Sequence, residues 1–511
     1  MSFAGNDVTG SALPAAATPA ARVRPSPRVS SVAASPGSQS RPRLLLAVCC
    51  VAQFMVILDV SIVNVALPSI RTSLGFSATD LQWIVNAYTI AFAGFLMLAD
   101  RTAKVLGQRR TFVAGIVVFS LASLAGGLAA TQTVLVAARA AQGLGGAIMA
   151  SASLAVIVSA YAPGRERHRA VGLWGAMNGA GGAAGTFLGG VITQELGWHW
   201  IFLINVPVGI AAAIVAHASI PERHCGAPER GFDIAGAVAV TVGLLTLVYG
   251  IVAAGSDGWG SLAALGPIVL GLALLAAFAV IEGRFARVPL LPLSVFASQP
   301  LRLANGVVLL LSAALFPMWY FASLYMQEVL HMTPLATGLA FLPMALTIMF
   351  CARRAGLAVA RVGARRVLGS GLTLMAIGLA LFSRVAVDGS YALNILVPGL
   401  LVAAGIGFSI VPSTIAATVG APPSQTGLAS GLINTSRQMG GALGLAILTA
   451  LAAQYSGHLL SANHSAPVDA LNGGFRLAFL LAAVLAAVSA LMTFRLMPAL
   501  HARQSAGGGA A

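Results

Sequence analysis

Two charges stand among apolar residues. In FMVILDVSIVNVAL (54–67) the carboxylate of Asp59 interrupts an otherwise nearly apolar run, and in VLVAARAAQGLGGA (134–147) the guanidinium of Arg139 does the same. If such runs cross a bilayer, each charge costs about 2.5–3.5 kcal/mol on insertion scales. A carboxylic acid relieves that cost by taking up a proton, and a group that changes protonation with its surroundings is what proton-coupled transport requires. The alternative for Asp59 is a structural carboxylate held by hydrogen bonds from neighbouring helices. Arg139 is the matching cation. Beside Asp59 it would favour the ionised acid, and protonation would weaken the pair, giving a two-state electrostatic latch. Its alternative is to snorkel towards the headgroups.

The elements that must position these residues follow from composition. Of 511 residues, 58% are hydrophobic and 8% charged, and the mean hydropathy is +0.89; a soluble protein carries about 25% charged residues. A chain this apolar is expected to be an all-α, polytopic membrane protein. The net charge of +15 lies between apolar runs and reads as a topology signal, so no nucleic-acid partner is expected. Cys49, Cys50, Cys225 and Cys351 have neither metal-ligand nor disulfide spacing, and the eight histidines form no His-x-x-x-His pair. No metal and no cofactor are expected. Nor does the sequence contain a nucleophile–base constellation or a Gly-x-x-x-x-Gly-Lys phosphate loop, so enzymatic chemistry is not expected either.

Fourteen apolar runs approach or reach the ~20 residues needed to span a bilayer: 44–66, 81–100, 111–130, 134–158, 170–193, 200–219, 234–254, 261–281, 303–326, 335–352, 366–386, 393–417, 436–455 and 474–496. With a cytoplasmic N-terminus, 25 of the 29 Lys and Arg fall in inside segments; Arg71, Arg384 and Arg476 fall outside, and Arg139 within a span. The positive-inside rule therefore places both termini in the cytoplasm. On this parity Asp59 lies ~10 Å and Arg139 ~8 Å from the same outer surface at 1.5 Å per residue, so the two share a depth. The basic turn VLGQRR (105–110) after the second run is echoed by RVGARR (361–366) after the tenth. Two six-helix halves with two extra helices between them, 6+2+6, would put these turns in equivalent places. The expected organisation is a disordered cytoplasmic tail (1–43), an N-terminal half (44–219), two central helices with flanking loops (220–300), a C-terminal half (301–497) and a second cytoplasmic tail (498–511).

The fifth run is rich in glycine, and Gly175, Gly179, Gly182, Gly185 and Gly189 recur at spacings that let a neighbouring backbone approach. Candidates to line a substrate path are Gln53, Asn64, Asn86, Tyr88, Gln142, Asn178 and Asn305. Ordinary interhelical hydrogen bonding accounts for each of them equally well.

Several stretches resemble the major facilitator superfamily, in its fourteen-span branch of drug–proton antiporters. LDVSIVNVALPSI (58–70) is similar to that branch's first-helix motif, LQWIVNAYTIAFAG (81–94) to its second-helix signature, and RAAQGLGGA (139–147) to the fourth-helix motif associated with proton coupling. GWHWIFLINVPVG (197–209), FDIAGA (232–237) and GLASGLINTSRQMGGALG (427–444) also match in order. The resemblance implies a major-facilitator fold and a proton-coupling role for Asp59 and Arg139. It implies a cytoplasmic gate loop at Asp100, Arg101, Lys104, Gly107, Arg109 and Arg110, repeated at Arg361, Gly363 and Arg365. Its expected partners are a drug-like small molecule, protons and the lipid bilayer, for a protein functional as a monomer in the plasma or inner membrane. Two departures stand out: Lys104 replaces the usual Asp and Asp100 a Gly of the loop, and the fifth helix has Gly185–Thr186 where the branch has Gly-Pro. An uncoupled or uptake facilitator on the same fold, and a transport-inactive membrane sensor or scaffold, are the alternatives.

Overall fold

A computed structural model describes residues 40–162, 164–222, 233–285, 298–419, 426–462 and 466–497. The predicted tails lie outside them, except that 40–43 open the first helix. The chain from Arg41 onward forms one compact unit. It folds as fourteen long helices, with no strand among the described residues. They are α1 (Ser40–Leu74), α2 (Trp83–Leu106), α3 (Gln108–Gly127), α4 (Gln132–Ala160), α5 (Arg165–Glu195), α6 (Trp200–Ser219) and α7 (Ile234–Asp257). The rest are α8 (Leu262–Val280), α9 (Gln299–Leu324), α10 (Pro334–Val362), α11 (Ala364–Phe382), α12 (Val397–Val419), α13 (Thr426–Ala462) and α14 (Pro467–Leu496). Twelve are long and apolar enough to cross a membrane, and α2 and the glycine-rich α5 complete the set.

Helices suit these sequences because a bilayer core offers the backbone no other donor or acceptor. Side-chain caps mark several starts. Thr131 Oγ1 accepts from the Val134 amide at 3.3 Å, Asp233 Oδ1 from Gly236 at 2.8 Å, Ser261 Oγ from Ala264 at 3.2 Å and Thr333 Oγ1 from Ala336 at 3.2 Å. The two basic turns join α2 to α3 and α10 to α11 with the same backbone: Gly107 has φ 94° and ψ 146°, Gly363 φ 86° and ψ 154°. Only glycine adopts these angles without strain.

Every run from the sequence corresponds to one helix, and the differences lie at the ends. α1 continues through Pro68 to Leu74, and α13 begins ten residues before the predicted start. Polar terminal turns depress hydropathy while keeping their helical hydrogen bonds. Arg437, counted with the inside segments at the edge of the run 436–455, accordingly lies well inside α13, where its Nη1 donates to Asn434 Oδ1 at 2.9 Å.

Helices α1–α6 pack together, as do α9–α14, and α7 fits against α2 and α13. The hairpin partner α8 is only 11% buried over its most apolar window, which leaves it facing lipid. The two six-helix groups meet where α5 packs on α10 and α2 on α13. The α5–α10 contact runs from Gln194 and Leu335 to Gly179 and Met349. Beyond it, towards the start of α5, a Cβ on Gly175 or Gly172 would meet nothing within 4 Å. The groups thus close at the end of the bundle opposite the start of α1 and separate towards the end where α1 begins.

Candidate functional site: a buried ion pair between α1 and α4

Asp59 and Arg139 come together in the interior of the N-terminal group, 0% and 1% exposed. Arg139 Nη1 donates to Asp59 Oδ2 at 2.5 Å and to Gln142 Oε1 at 2.9 Å, while Nε donates to the Ile84 carbonyl at 2.8 Å. Gln142 Nε2 donates to Asp59 Oδ1 at 3.0 Å and to Ser123 Oγ at 2.7 Å. Asn205 Nδ2 adds a longer bond, 3.3 Å, to the same carboxylate oxygen. The guanidinium lies 4.4 Å from the centroid of the Tyr88 ring and 5.8 Å from that of Phe202, within reach of cation–π attraction. Five helices (α1, α2, α3, α4 and α6) therefore contribute to one buried polar cluster.

Local sequence explains the approach. A Cβ on Gly143 would fall against the Tyr88 carbonyl, and one on Gly146 would stand 2.9 Å from the Tyr88 hydroxyl, so these two of the three glycines in 139–147 let α4 seat against α2. The Tyr88 hydroxyl is buried and has no hydrogen-bond partner. With Asp59 ionised the cluster is charge-balanced. A proton on Asp59 would leave Arg139 as a buried cation with only neutral partners, so the pair separates two states of different electrostatic energy.

The glycines of α5 divide. A Cβ on Gly185 would stand 2.8 Å from the Leu58 carbonyl, and one on Gly189 would stand 2.8 Å from that of Ile62, both on α1; on Gly179 it would lie 3.2 Å from Met349 Cγ of α10. Gly175 and Gly182 have nothing within 4 Å and are not packing glycines in this conformation: Gly175 lies beyond the α5–α10 contact, and Gly182, within its span, faces open space. Gly181, 3.0 Å from the Phe54 carbonyl, and Gly190, 2.6 Å from the Pro334 carbonyl, take that role instead. Despite Thr186 in place of proline, α5 runs unbroken and keeps its contact beside Asp59, where Ser61 Oγ donates to the Gly181 carbonyl at 3.2 Å.

Five of the seven path candidates are buried. Tyr88 and Gln142 belong to the ion-pair cluster. Gln53 donates to Asn178 Oδ1 at 2.9 Å; Asn86 donates to Gln82 Oε1 at 3.3 Å; Asn305 donates to the Leu301 carbonyl at 2.8 Å and accepts from Ser436 at 2.8 Å. These bonds satisfy one polar atom or more of each side chain, while Gln53 Oε1 and Asn86 Oδ1 stay buried without a partner. Asn178 is exposed and Asn64 half-buried.

At the basic turns, Arg109 Nε lies 3.0 Å and Arg110 Nε 3.8 Å from Glu222 Oε2. Arg365 donates to the Phe494 carbonyl, and Arg361 is exposed. The side chains of Asp100, Arg101 and Lys104 lie outside the described residues. Sequence reasoning missed Ser123, Asn205 and Glu222. Asn205 carried a signal, as an amide inside an apolar run.

A bundle of this plan, with two six-helix groups and a helix pair between them, defines a polytopic transporter fold. The model of the Major Facilitator Superfamily matches residues 49–445 and 319–510, and the chain belongs to that superfamily as a multi-pass protein of the cell membrane. It is 40% identical over 406 residues to the cephamycin export protein CmcT of Amycolatopsis lactamdurans, covering 79% of this chain and 83% of that one. It is 36% identical over 444 residues to the puromycin resistance protein pur8 of Streptomyces alboniger, covering 86% and 88%. Among solved structures, a bacterial homologue of the human lysosomal transporter Spinster, inward-facing and unoccupied, shares the fold with a TM-score of 0.64 at 15% identity, over 90% of this chain and 97% of that one.

Proposed function

We propose that the protein exports amphipathic, antibiotic-like molecules from the cell in exchange for protons, acting as a monomer with both termini in the cytoplasm. The observation that carries this reading is the buried Asp59–Arg139 pair, whose only other partners are neutral. Its position supplies a route from charge to movement. Asp59 sits between Leu58 and Ser61, the residues against which α5 seats through Gly181 and Gly185. α5 in turn packs on α10 of the other group. Protonation that loosens the pair frees α1 to shift, and α5 carries the shift to the interface about which the halves rock. The cleft past Asn178 is the substrate path in this conformation. Relatives named for cephamycin export and puromycin resistance support the substrate class.

One proton moving down ~100 mV supplies about 2.3 kcal/mol, enough for a roughly 40-fold gradient of a neutral substrate at 1.4 kcal/mol per tenfold. The test is uptake of a cephamycin and of puromycin by energised inside-out vesicles. The reading expects accumulation that collapses when an uncoupler is added. Uptake insensitive to the uncoupler would make the protein a facilitator, and uptake of neither probe would count against this substrate class.

A further inference from the structure

At the closed end of the bundle, α1 and α9 are joined across the two groups. Ser323 Oγ donates to the Asn64 carbonyl at 2.7 Å, Gln327 Nε2 to the Val65 carbonyl at 2.9 Å and to Ser323 Oγ at 3.2 Å, and Arg71 Nη1 to both oxygens of Glu328 at 2.8 and 2.9 Å. The Asn64 carbonyl is special. Its helical partner would be the amide of the residue four positions on, and that residue is Pro68, which has no N–H. An orphaned carbonyl at membrane depth is costly, and here a hydroxyl from the other half satisfies it. Ser323 is 0% exposed, so water does not compete. The α9 side is equally unusual. Tyr325–Val329 forms a π-helical turn, with the Leu330 amide bonded to the Tyr325 carbonyl at 3.0 Å, followed by His331 with φ 53°. Such turns recur at functional sites, and this one carries Gln327 and Glu328.

We infer that Ser323 is a positioning residue of transport: by satisfying the carbonyl that Pro68 orphans, it holds the outer ends of α1 and α9 together and sets the balance between the two access states. The inference rests on the proposed export reading only for which face is outer. Opening that face must strip the Asn64 carbonyl of its donor, so proline and serine together weight the equilibrium towards the closed outer face. The partly exposed Arg71–Glu328 pair adds less, since screened surface pairs contribute little.

The test uses purified full-length protein in lipid nanodiscs, without drug or proton gradient, with the four native cysteines replaced by alanine. Spin labels at exposed Thr72 and Leu393 report the separation of the outer ends by pulsed electron resonance. Ser323→Ala is expected to raise the long-distance population about tenfold, and Ser323→Thr, which keeps the hydroxyl, to retain the short distance. Pro68→Ala returns a helical donor to Asn64 and is also expected to raise the long-distance population, after which Ser323→Ala adds little. Unchanged populations in Ser323→Ala, or a full serine effect on top of Pro68→Ala, would overturn the inference. If Ser323→Ala does not fold, Pro68→Ala decides alone, and unchanged populations there refute it. A failure of proton coupling in vesicles leaves these populations untouched, so the two ideas fail separately.

Discussion

Arg139 spends its donors on three acceptors, the Asp59 carboxylate, Gln142 Oε1 and the Ile84 carbonyl, with an aromatic ring over its face. A lysine cannot reproduce that planar fork, so Arg139→Lys is expected to lose most drug transport, measured as initial uptake in vesicles. Arg139→Ala strands a buried carboxylate and should destabilise the protein by about 3–5 kcal/mol. Adding Asp59→Asn to it should recover most of that loss without restoring coupling, which unfolding of the solubilised variants would show. Asp59 and Arg139 were legible in the sequence because each interrupts an apolar run. Gln142 was legible as polar but stayed open between path-lining and interhelical hydrogen bonding, although it stands three residues from Arg139 and so shares its helix face. Ser123 and Asn205 were not legible as partners, since their relation to Asp59 exists only once α3 and α6 have packed against α1.

At the scale of elements, helix number followed from hydropathy while helix ends did not. The first turns of α13 hold Gly, Asn, Ser, Arg and Gln, which lower apolarity without breaking a helix. The glycines of α5 show what periodicity leaves open: it marks small residues but cannot say where a neighbour lies. Gly189→Val would drive a Cβ to 2.8 Å from the Ile62 carbonyl and should cost roughly 1–3 kcal/mol of stability together with most transport. Gly175→Ala meets no atom within 4 Å and should leave the unfolding midpoint unchanged or raise it slightly, since alanine favours a helix interior over glycine. The repeated turns allow a paired prediction. Gly107→Ala and Gly363→Ala each place a side chain at φ near 90° and should each cost about 1–2 kcal/mol, read from the same unfolding curves.

At the scale of the whole molecule, the excess of Lys and Arg in alternate segments predicts an orientation that can be tested by labelling. On a background lacking the native cysteines, a cysteine at exposed Ser77 should react with an impermeant maleimide in intact cells, and one at the start of α5, at exposed Arg165, only after the membrane is opened. The reverse pattern would invert the topology and with it the direction of transport. The departures at Lys104 and Thr186 bear on this scale as well. α5 keeps its seat on α1 without the proline, through Gly181, Gly185 and Gly189, so the link from Asp59 to the interface between halves survives the substitution. That link is the centre of the account. Its most direct test is drug-evoked proton release from inside-out vesicles, comparing the unaltered protein with Asp59→Asn at matched expression. The account predicts release on adding substrate in the first and none in the second, while equal drug uptake with no proton movement in both would contradict it.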